Sequence, residues 1–311
     1  MTTTLVIGAS GYEGRYLVAE LHRRGHTVRA LVRDRERAEE PHSSGAPSLA
    51  GLVDEWRIGE ITDAAVTADL AAGVDAVVSA LGVTTQDSDP WQVDHAGNLQ
   101  ILQSAAGHGA EAFLYLGAIG ADRCPAEVAK AKTAFVRDLA GSRTTGVVVH
   151  PSGYFSDMSS VLDMARKGHV RILDPEVRLN PIHGADLAAY CVDRLEEALH
   201  GRGASAAYFT QGTALPGSTP TFRVYEVGGP EVLTWQEIGE AAFEALGTRP
   251  RISRIPRWLV SLGLRVSGMF SARLADVARW LVHVLTHDAI GERTGTHRLR
   301  DHFAAEAPRT P

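Results

Sequence analysis

The stretch Gly8-Ala9-Ser10-Gly11-Tyr12-Glu13-Gly14 decides the fold of this chain. It lies between an apolar run at Thr4–Ile7 and a helical pattern over Gly11–Arg24. In this GxxGxxG pattern the first glycine permits a tight turn, the second lets the backbone approach a pyrophosphate, and the third lets the helix pack close to the sheet. N–H groups at the helix N-terminus bind the phosphates. The alternative is a glycine-rich turn that binds nothing. The predicted dinucleotide site includes Gly8, Ser10, Gly11, Tyr12, Glu13 and Gly14.

Short β-rich runs alternate with helical patterns through the first 150 residues. The predicted strands are Thr4–Ile7, Thr27–Val32, Glu55–Ile58, Ala76–Ala80, Ala112–Leu116 and Val147–His150. Apolar strands that alternate with helices predict a parallel sheet covered on both faces. We therefore predict a Rossmann-type, doubly wound α/β core over residues 1–150. A smaller, mainly helical substrate-binding region over 151–311 is expected to contribute to the sheet, with a flexible loop at 201–220.

Composition excludes several classes of protein. The chain has 311 residues, a net charge of −6 and two cysteines without CxxC spacing. The charge argues against a general nucleic-acid binder, and the cysteines argue against a disulfide framework or a thiolate zinc site. The apolar runs are too short to span a bilayer, and no secretion signal is evident. We expect a cytoplasmic protein that binds a small molecule, without a metal and with no signal for a particular oligomeric state.

The residues after the second predicted strand select the cofactor. An acidic residue at this place binds the ribose hydroxyls of NAD. Here the sequence reads Leu31-Val32-Arg33-Asp34-Arg35-Glu36-Arg37, with Arg33 at the selecting position. A guanidinium matches a 2′-phosphate with paired donors, so Arg33 predicts NADP(H). The alternative is a solvated charge run, which we expect for Arg35 and Arg37.

Several segments resemble the NmrA-like, atypical branch of the short-chain dehydrogenase/reductase superfamily. They include DAVVSALG, AKTAFVRDLAGSRTTGVVVHPSGYFSDM and YEVGGPEVLTWQEI, and the resemblance covers about residues 3–240. Isoflavone reductases and divinyl-chlorophyllide vinyl reductases are similar within this branch. The resemblance implies that Ala80, Leu81 and Gly82 contact the pyrophosphate and the nicotinamide ribose, and that Glu60 contacts adenine. It also implies that Pro151, Gly153 and Tyr154 border the nicotinamide.

The resemblance also shows what the active site lacks. Lys132 falls on the position of the superfamily's lysine, but Val128 stands where the proton-donating tyrosine is usual. The serine position falls in Leu116-Gly117-Ala118, which has no hydroxyl. The standard carbonyl mechanism therefore cannot operate on these residues. Candidate proton donors are Lys132, with a pKa lowered toward neutrality by desolvation, Tyr154 and His183, whereas Tyr115 is expected in the core.

Three functions fit this combination. The first is an NADPH-dependent reduction of a C=C or C=O bond in a small, apolar or aromatic substrate. The second is an NADP(H)-binding regulator or scaffold without turnover. The third is non-redox chemistry on the same fold, such as cyclisation, epimerisation or dehydration. The apolar substrate is expected because the region after residue 150 contains Phe155, Met158, Met164, Trp258 and Met269.

Overall fold

The computed structural model describes residues 1–82, 88–200, 221–256, 258–260 and 271–307. The predicted loop at 201–220 and Met269 lie outside the described residues. The strands are β1 (Thr3–Ile7), β2 (Thr27–Val32), β3 (Glu55–Ile58), β4 (Ala76–Ser79), β5 (Ala112–Leu116), β6 (Thr145–Pro151), β7 (Val170–Ile172), β8 (Arg178–Leu179), β9 (Arg223–Gly228), β10 (Leu233–Thr234), β11 (Ile252–Arg254) and β12 (Glu292–Arg293).

Helices connect most of these strands. They are α1 (Tyr12–Arg23), α2 (Arg35–Glu39), α3 (Ala64–Thr67), α4 (Asn98–His108), α5 (Glu127–Ala140), α6 (Phe155–Arg166), α7 (Gly184–His200), α8 (Trp235–Ala245), α9 (Ala272–Thr286) and α10 (Leu299–Glu306), with a π-helical segment (Trp91–Gly97) directly before α4. Among the described residues, no helix combines the length and the apolar character that a bilayer span requires.

The main sheet has eight strands in the order β12-β9-β6-β5-β4-β1-β2-β3. Strand β1 pairs in parallel with β2 on one side and with β4 on the other. The order β3-β2-β1-β4-β5-β6 is that of a doubly wound nucleotide-binding sheet, in which the strand order reverses between β1 and β4 while the strands stay parallel. Ligands bind outside the carboxyl ends of the strands at this point. The Rossmann-type fold predicted from the sequence is therefore confirmed.

Local sequence explains where these elements begin. The central strands are apolar and fully buried, as in Leu5 and Val6 of β1. Asp63 starts α3, because its carboxylate accepts a hydrogen bond from the N–H of Ala65 at 2.8 Å. Thr234 and Glu237 form a capping box at the start of α8. These caps satisfy N–H groups that a helix leaves unpaired at its N-terminus.

The chain divides into two compact units, each with an apolar core. The first comprises Met1–Gly117, Lys130–His150 and Leu187–Tyr225; the second comprises Ala118–Ala129, Pro151–Asp186 and Glu226–Pro311. The predicted boundary at residue 150 coincides with one of the breaks. Two segments depart from it, because Ala118–Ala129 belongs to the second unit and Leu187–Tyr225 to the first. The assignment of cofactor binding to one region and substrate binding to the other stays a prediction.

Candidate functional site

A cleft of about 620 Å³ lies at the carboxyl ends of β1, β2 and β4 in the first unit. It brings together many of the residues that the sequence predicts for the cofactor. Those that line it are Gly8, Ser10, Gly11, Arg33, Glu60, Ala80, Leu81 and Gly82. They come from four separate loops, which only the order of the sheet places side by side. The cleft also includes Arg15, Arg37 and His42, which the sequence did not predict.

The glycine loop packs tightly against neighbouring main chain. Gly8 has φ +75°, and a Cβ there would lie 2.8 Å from the carbonyl oxygen of Ala80. A Cβ at Gly14 would overlap the carbonyl oxygen of Gly8 and lie 2.8 Å from the Cα of Ala9. Gly11 is the N-cap of α1 and offers no capping side chain. The helix therefore presents its first N–H groups at the cleft, and this cradle fits a dinucleotide pyrophosphate.

The three arginines after β2, Arg33, Arg35 and Arg37, have different surroundings. Asp34 is the N-cap of α2, and its carboxylate accepts a hydrogen bond from the N–H of Arg37 at 3.1 Å. Arg35 pairs with Glu39 at 2.9 Å and stacks over Trp56. Arg33 and Arg37 line the cleft. Arg37 is exposed, as expected for a solvated charge run, and it borders the same cleft as Arg33.

A buried arginine holds this segment in place. The guanidinium of Arg15 donates to the carbonyl oxygens of Ser10, Arg37, Glu40 and Pro47 at 2.9–3.1 Å. The residue is 2% exposed, and burial, together with the charge of Arg37, lowers its pKa from the ordinary value. Four main-chain acceptors satisfy a charged donor group that would otherwise be costly to bury. Arg15 thereby ties the glycine loop to helix α2 and to the segment that follows it.

Lys132 forms a buried ion pair in the first unit. Its Nζ lies 2.6 Å from Oδ1 of Asp94, and the exposed fractions of the two side chains are 10% and 0%. Burial alone would lower the pKa of Lys132, but the charge of Asp94 raises it above the ordinary value. This direction is opposite to the predicted one. Burial also raises the pKa of Tyr115 to about 12, and Tyr115 packs in the core as expected.

Tyr154 and His183 lie on adjacent segments of the second unit. Ile182 accepts a hydrogen bond from the N–H of Phe155 and donates its own to the carbonyl of Gly153. His183 stacks on His297 at 4.1 Å and accepts the N–H of Ala185 at Nδ1. Burial, and then the neighbouring His297, lower the pKa of His183 to about 4. A neutral ring that accepts at Nδ1 carries its proton on Nε2.

The expected lining of a substrate cleft in the second unit needs correction. Phe155 and Met158 were expected to line a substrate cleft, but they are 1% and 4% exposed and belong to an apolar core. Trp258 is 68% exposed. Val128, at the usual tyrosine position, is 1% exposed and packs with Trp280 in a separate apolar cluster. The predicted places of Pro151, Gly153 and Tyr154 beside a nicotinamide stay predictions.

Comparisons with known proteins indicate the same kind of ligand as the cleft, a nicotinamide dinucleotide. The sequence pattern of the NAD(P)H-binding family matches residues 8–198. The chain belongs to that family. This NAD(P)H-binding protein is 33% identical over 271 residues to divinyl chlorophyllide a 8-vinyl-reductase of Zea mays. The aligned region covers 82% of this chain and 62% of the relative. The chain thus spans about three fifths of the length of the curated vinyl reductases it matches.

Solved structures share the fold at low sequence identity. The triphenylmethane reductase of Citrobacter sp. has a TM-score of 0.69 and 14% identity, with 98% of this chain and 99% of that chain covered. An NADPH-dependent quinone oxidoreductase of Escherichia coli, solved with NADPH, has a TM-score of 0.65 and 17% identity, with coverage of 97% and 99%. A nicotinamide cofactor is therefore established for this family and fold.

Two groups of residues in this NAD(P)H-binding chain were missed by the sequence interpretation. Asp94 and Asn98 recur at helical spacing with Ile101 and Leu102, so a polar pair on a buried stripe was a signal available in the sequence. Arg15 carried no comparable signal. An arginine in the first turns of a surface helix is ordinarily solvated, and the carbonyl groups that bind it come from distant loop positions.

Glu13 lies in the first turn of α1, but its side chain does not line the cleft. It is 5% exposed, and among the described residues neither carboxyl oxygen has a hydrogen-bond partner. Burial raises the pKa of Glu13 well above its ordinary value. Burial, and then the charge of Glu13, raise the pKa of the Cys191 thiol on α7. The main-chain N–H of Glu13 remains the group predicted to serve the phosphates.

The free energy of unfolding of Glu13→Gln, minus that of the unmodified protein, is expected to increase as pH rises. A raised pKa means that the folded state keeps a proton which the unfolded state loses above about pH 4.3, so the wild-type stability falls with rising pH. Glutamine lacks this dependence. The free-energy difference should grow by at most about 1.4 kcal/mol per pH unit. Urea unfolding at several pH values measures it, with the exposed Glu36→Gln as the control; parallel curves would contradict a neutral Glu13.

Proposed function

We propose that this protein is an NADPH-dependent reductase that acts on a carbon–carbon double bond of a small, apolar or aromatic substrate. The observation that carries the NADPH preference is that two arginines, Arg33 and Arg37, line the cleft after β2. Asp34 lines the same cleft, but its carboxylate caps helix α2. The two arginines supply cations that suit a 2′-phosphate. His42, in the same cleft, is a further polar group for this phosphate.

The vinyl reductases support the choice of a C=C bond. They match most of this chain at 25–33% identity, and their name describes reduction of a vinyl group on a chlorophyllide. Bound NADPH supplies a hydride, and the product requires one further proton. Val128 cannot provide it, and Lys132 is held by Asp94. We assign Tyr154, His183 and Lys132 as the groups to test, with Tyr154 as the proton donor, because the lowered pKa of His183 keeps its ring neutral.

A turnover experiment tests this proposal. The protein is mixed with NADPH and divinyl chlorophyllide a, a quinone or a ketone, and the loss of reduced-nicotinamide absorbance is followed with product mass. We expect turnover with the vinyl substrate and addition of two hydrogen atoms to its C=C bond. Tight NADPH binding without turnover on any of these substrates would favour the regulator or scaffold. Substrate conversion without net nicotinamide oxidation would favour non-redox chemistry.

Arg33→Ala is expected to weaken NADPH binding by about 10- to 100-fold, which corresponds to about 1.4–2.7 kcal/mol. NADH binding should change by less than about twofold, because NADH lacks the phosphate that the guanidinium binds. Fluorescence titration with both nucleotides measures the effect. Arg35→Ala is the matched control, since Arg35 contacts Glu39 and Trp56. Equal weakening of both nucleotides in Arg33→Ala, or tighter NADH than NADPH in the unmodified protein, would refute the assignment.

A further inference from the structure

The ion pair of Lys132 and Asp94 lies directly behind the wall of the cofactor cleft. Gly82 lines the cleft, and a Cβ at Gly82 would be 2.6 Å from Nζ of Lys132 and 3.2 Å from Oδ1 of Asp94. A side chain at position 82 would therefore displace the pair. The missing side chain lets the ammonium group approach the main chain at the end of β4, where the cofactor contacts are predicted.

A hydrogen-bonded chain fixes Asp94 at this place. Ser79, the last residue of β4, donates its hydroxyl to Oδ1 of Asn98 at 2.6 Å. The amide nitrogen of Asn98 donates to the main-chain oxygen of Asp94 at 2.9 Å. Ser79, Asn98 and Asp94 are each fully buried. The π-helical segment that contains Asp94 is thus tied to the strand whose end forms the cleft.

The environment of Lys132 favours its charged form. Its ammonium group contacts a carboxylate that is 0% exposed, and the other titratable group that acts on it is the buried Tyr115 hydroxyl. A buried charge is tolerated when an opposite charge and good hydrogen-bond geometry compensate its desolvation. Removal of that carboxylate would leave the ammonium buried without compensation, and desolvation would then favour the neutral amine.

We propose that Asp94 is a positioning residue that holds Lys132 as a permanent cation behind Gly82, so that Lys132 contributes a fixed charge and not a transferable proton. The inference rests on the proposed function in one respect, namely that the cleft holds NADP(H) during a reduction. It assigns Lys132 to binding and electrostatic stabilisation at the end of β4. The proton of the proposed reduction then comes from another group.

The scarcity of lysine makes the proposal directly measurable. The chain has only three lysines, Lys130, Lys132 and Lys167. Lysine that carries an NMR label at Cε gives three resonances, which Lys130→Arg and Lys167→Arg assign. In the unmodified protein we expect the Lys132 resonance to stay at its charged position through the pH range in which a lysine side chain in a model peptide loses its proton, about pH 10.4. Titration of Lys132 in or below that range would overturn the proposal.

Asp94→Asn completes the test. In this variant the Lys132 resonance should titrate at least about two pH units below the value of a lysine in a model peptide. Asp138→Asn is the matched control, because Asp138 pairs with His95 at 2.7 Å and is 41% exposed. It should leave Lys132 charged. An unchanged Lys132 titration in Asp94→Asn would contradict the role of Asp94, and the measurement on the unmodified protein decides the charge state even if that variant does not fold.

A kinetic readout separates this proposal from the proposed function. If the protein is a reductase, kcat of Asp94→Asn should fall as pH rises through the new Lys132 titration, whereas kcat of the unmodified protein should show no such step. A merely structural role for Asp94 would lower kcat equally at every pH. If no substrate is turned over, the reductase proposal fails while the NMR titration still tests the role of Asp94.

Discussion

Gly14→Ala is expected to abolish measurable nicotinamide-nucleotide binding and to lower the free energy of unfolding by about 2–3 kcal/mol. The added Cβ would overlap the carbonyl oxygen of Gly8 and lie 2.8 Å from the carbonyl carbon of the same residue. These are main-chain atoms, so no side-chain rotation relieves the overlap. Helix α1 must move away from β1, and the N–H groups that face the cleft move with it.

A graded series of glycine variants makes the experiment decisive. At Gly11 a Cβ would lie 3.3 Å from the carbonyl oxygen of Gly8, so Gly11→Ala should weaken binding less and remain folded. At Gly107, in α4, no atom lies within 4 Å of the added Cβ, and Gly107→Ala should leave binding unchanged. Fluorescence titration measures affinity, and urea unfolding measures stability. If Gly14→Ala and Gly107→Ala bound the nucleotide with equal affinity, the assignment of the glycine loop as the pyrophosphate site would be refuted.

Strand positions in the first unit were predicted well because most of these strands are buried apolar runs; β3, at the sheet edge, has no buried residue. β2, β3 and β5 have the bounds that the sequence predicted, and the end of β1 was also correct. Short strands in the second unit, such as β8, β10 and β12, were missed because two residues carry no alternation of polar and apolar side chains. Helix α6 was missed as well. Its N-terminus depends on Asp157, whose carboxylate accepts the N–H of Tyr154 at 3.4 Å.

The candidate site was predictable where a local pattern carries it. The glycine loop and Arg33 follow from motif and strand position, the resemblance implied the end of β4, and all of them contribute to the cleft. Contacts between distant residues were not predictable. The pair of Lys132 and Asp94 joins positions 38 residues apart, and Arg15 binds Pro47 across 32. The pKa of Lys132 was expected to fall because its counter-ion was unknown, and the sign of the shift depends on that one carboxylate.

Lys132→Met is expected to lower the free energy of unfolding by about 3–5 kcal/mol, because it leaves the charge of Asp94 buried without compensation. Asp94→Leu should be destabilising for the converse reason. The double variant removes both charges and replaces them with apolar side chains. Replacement of a complete buried ion pair is often close to neutral, so the double variant should recover most of the lost stability. The two effects are therefore strongly non-additive.

Urea unfolding of the four proteins gives the coupling free energy between the two residues. Lys130→Met is the control, since Lys130 lies two residues earlier on the same helix at an exposed position; we expect its stability to change by no more than about 0.5 kcal/mol. A double variant whose loss equals the sum of the two single losses would show that Lys132 and Asp94 act independently. Recovery of stability without recovery of NADPH binding would show that the charge of Lys132, beyond its packing, serves the cofactor cleft, because the apolar replacement restores only the fold.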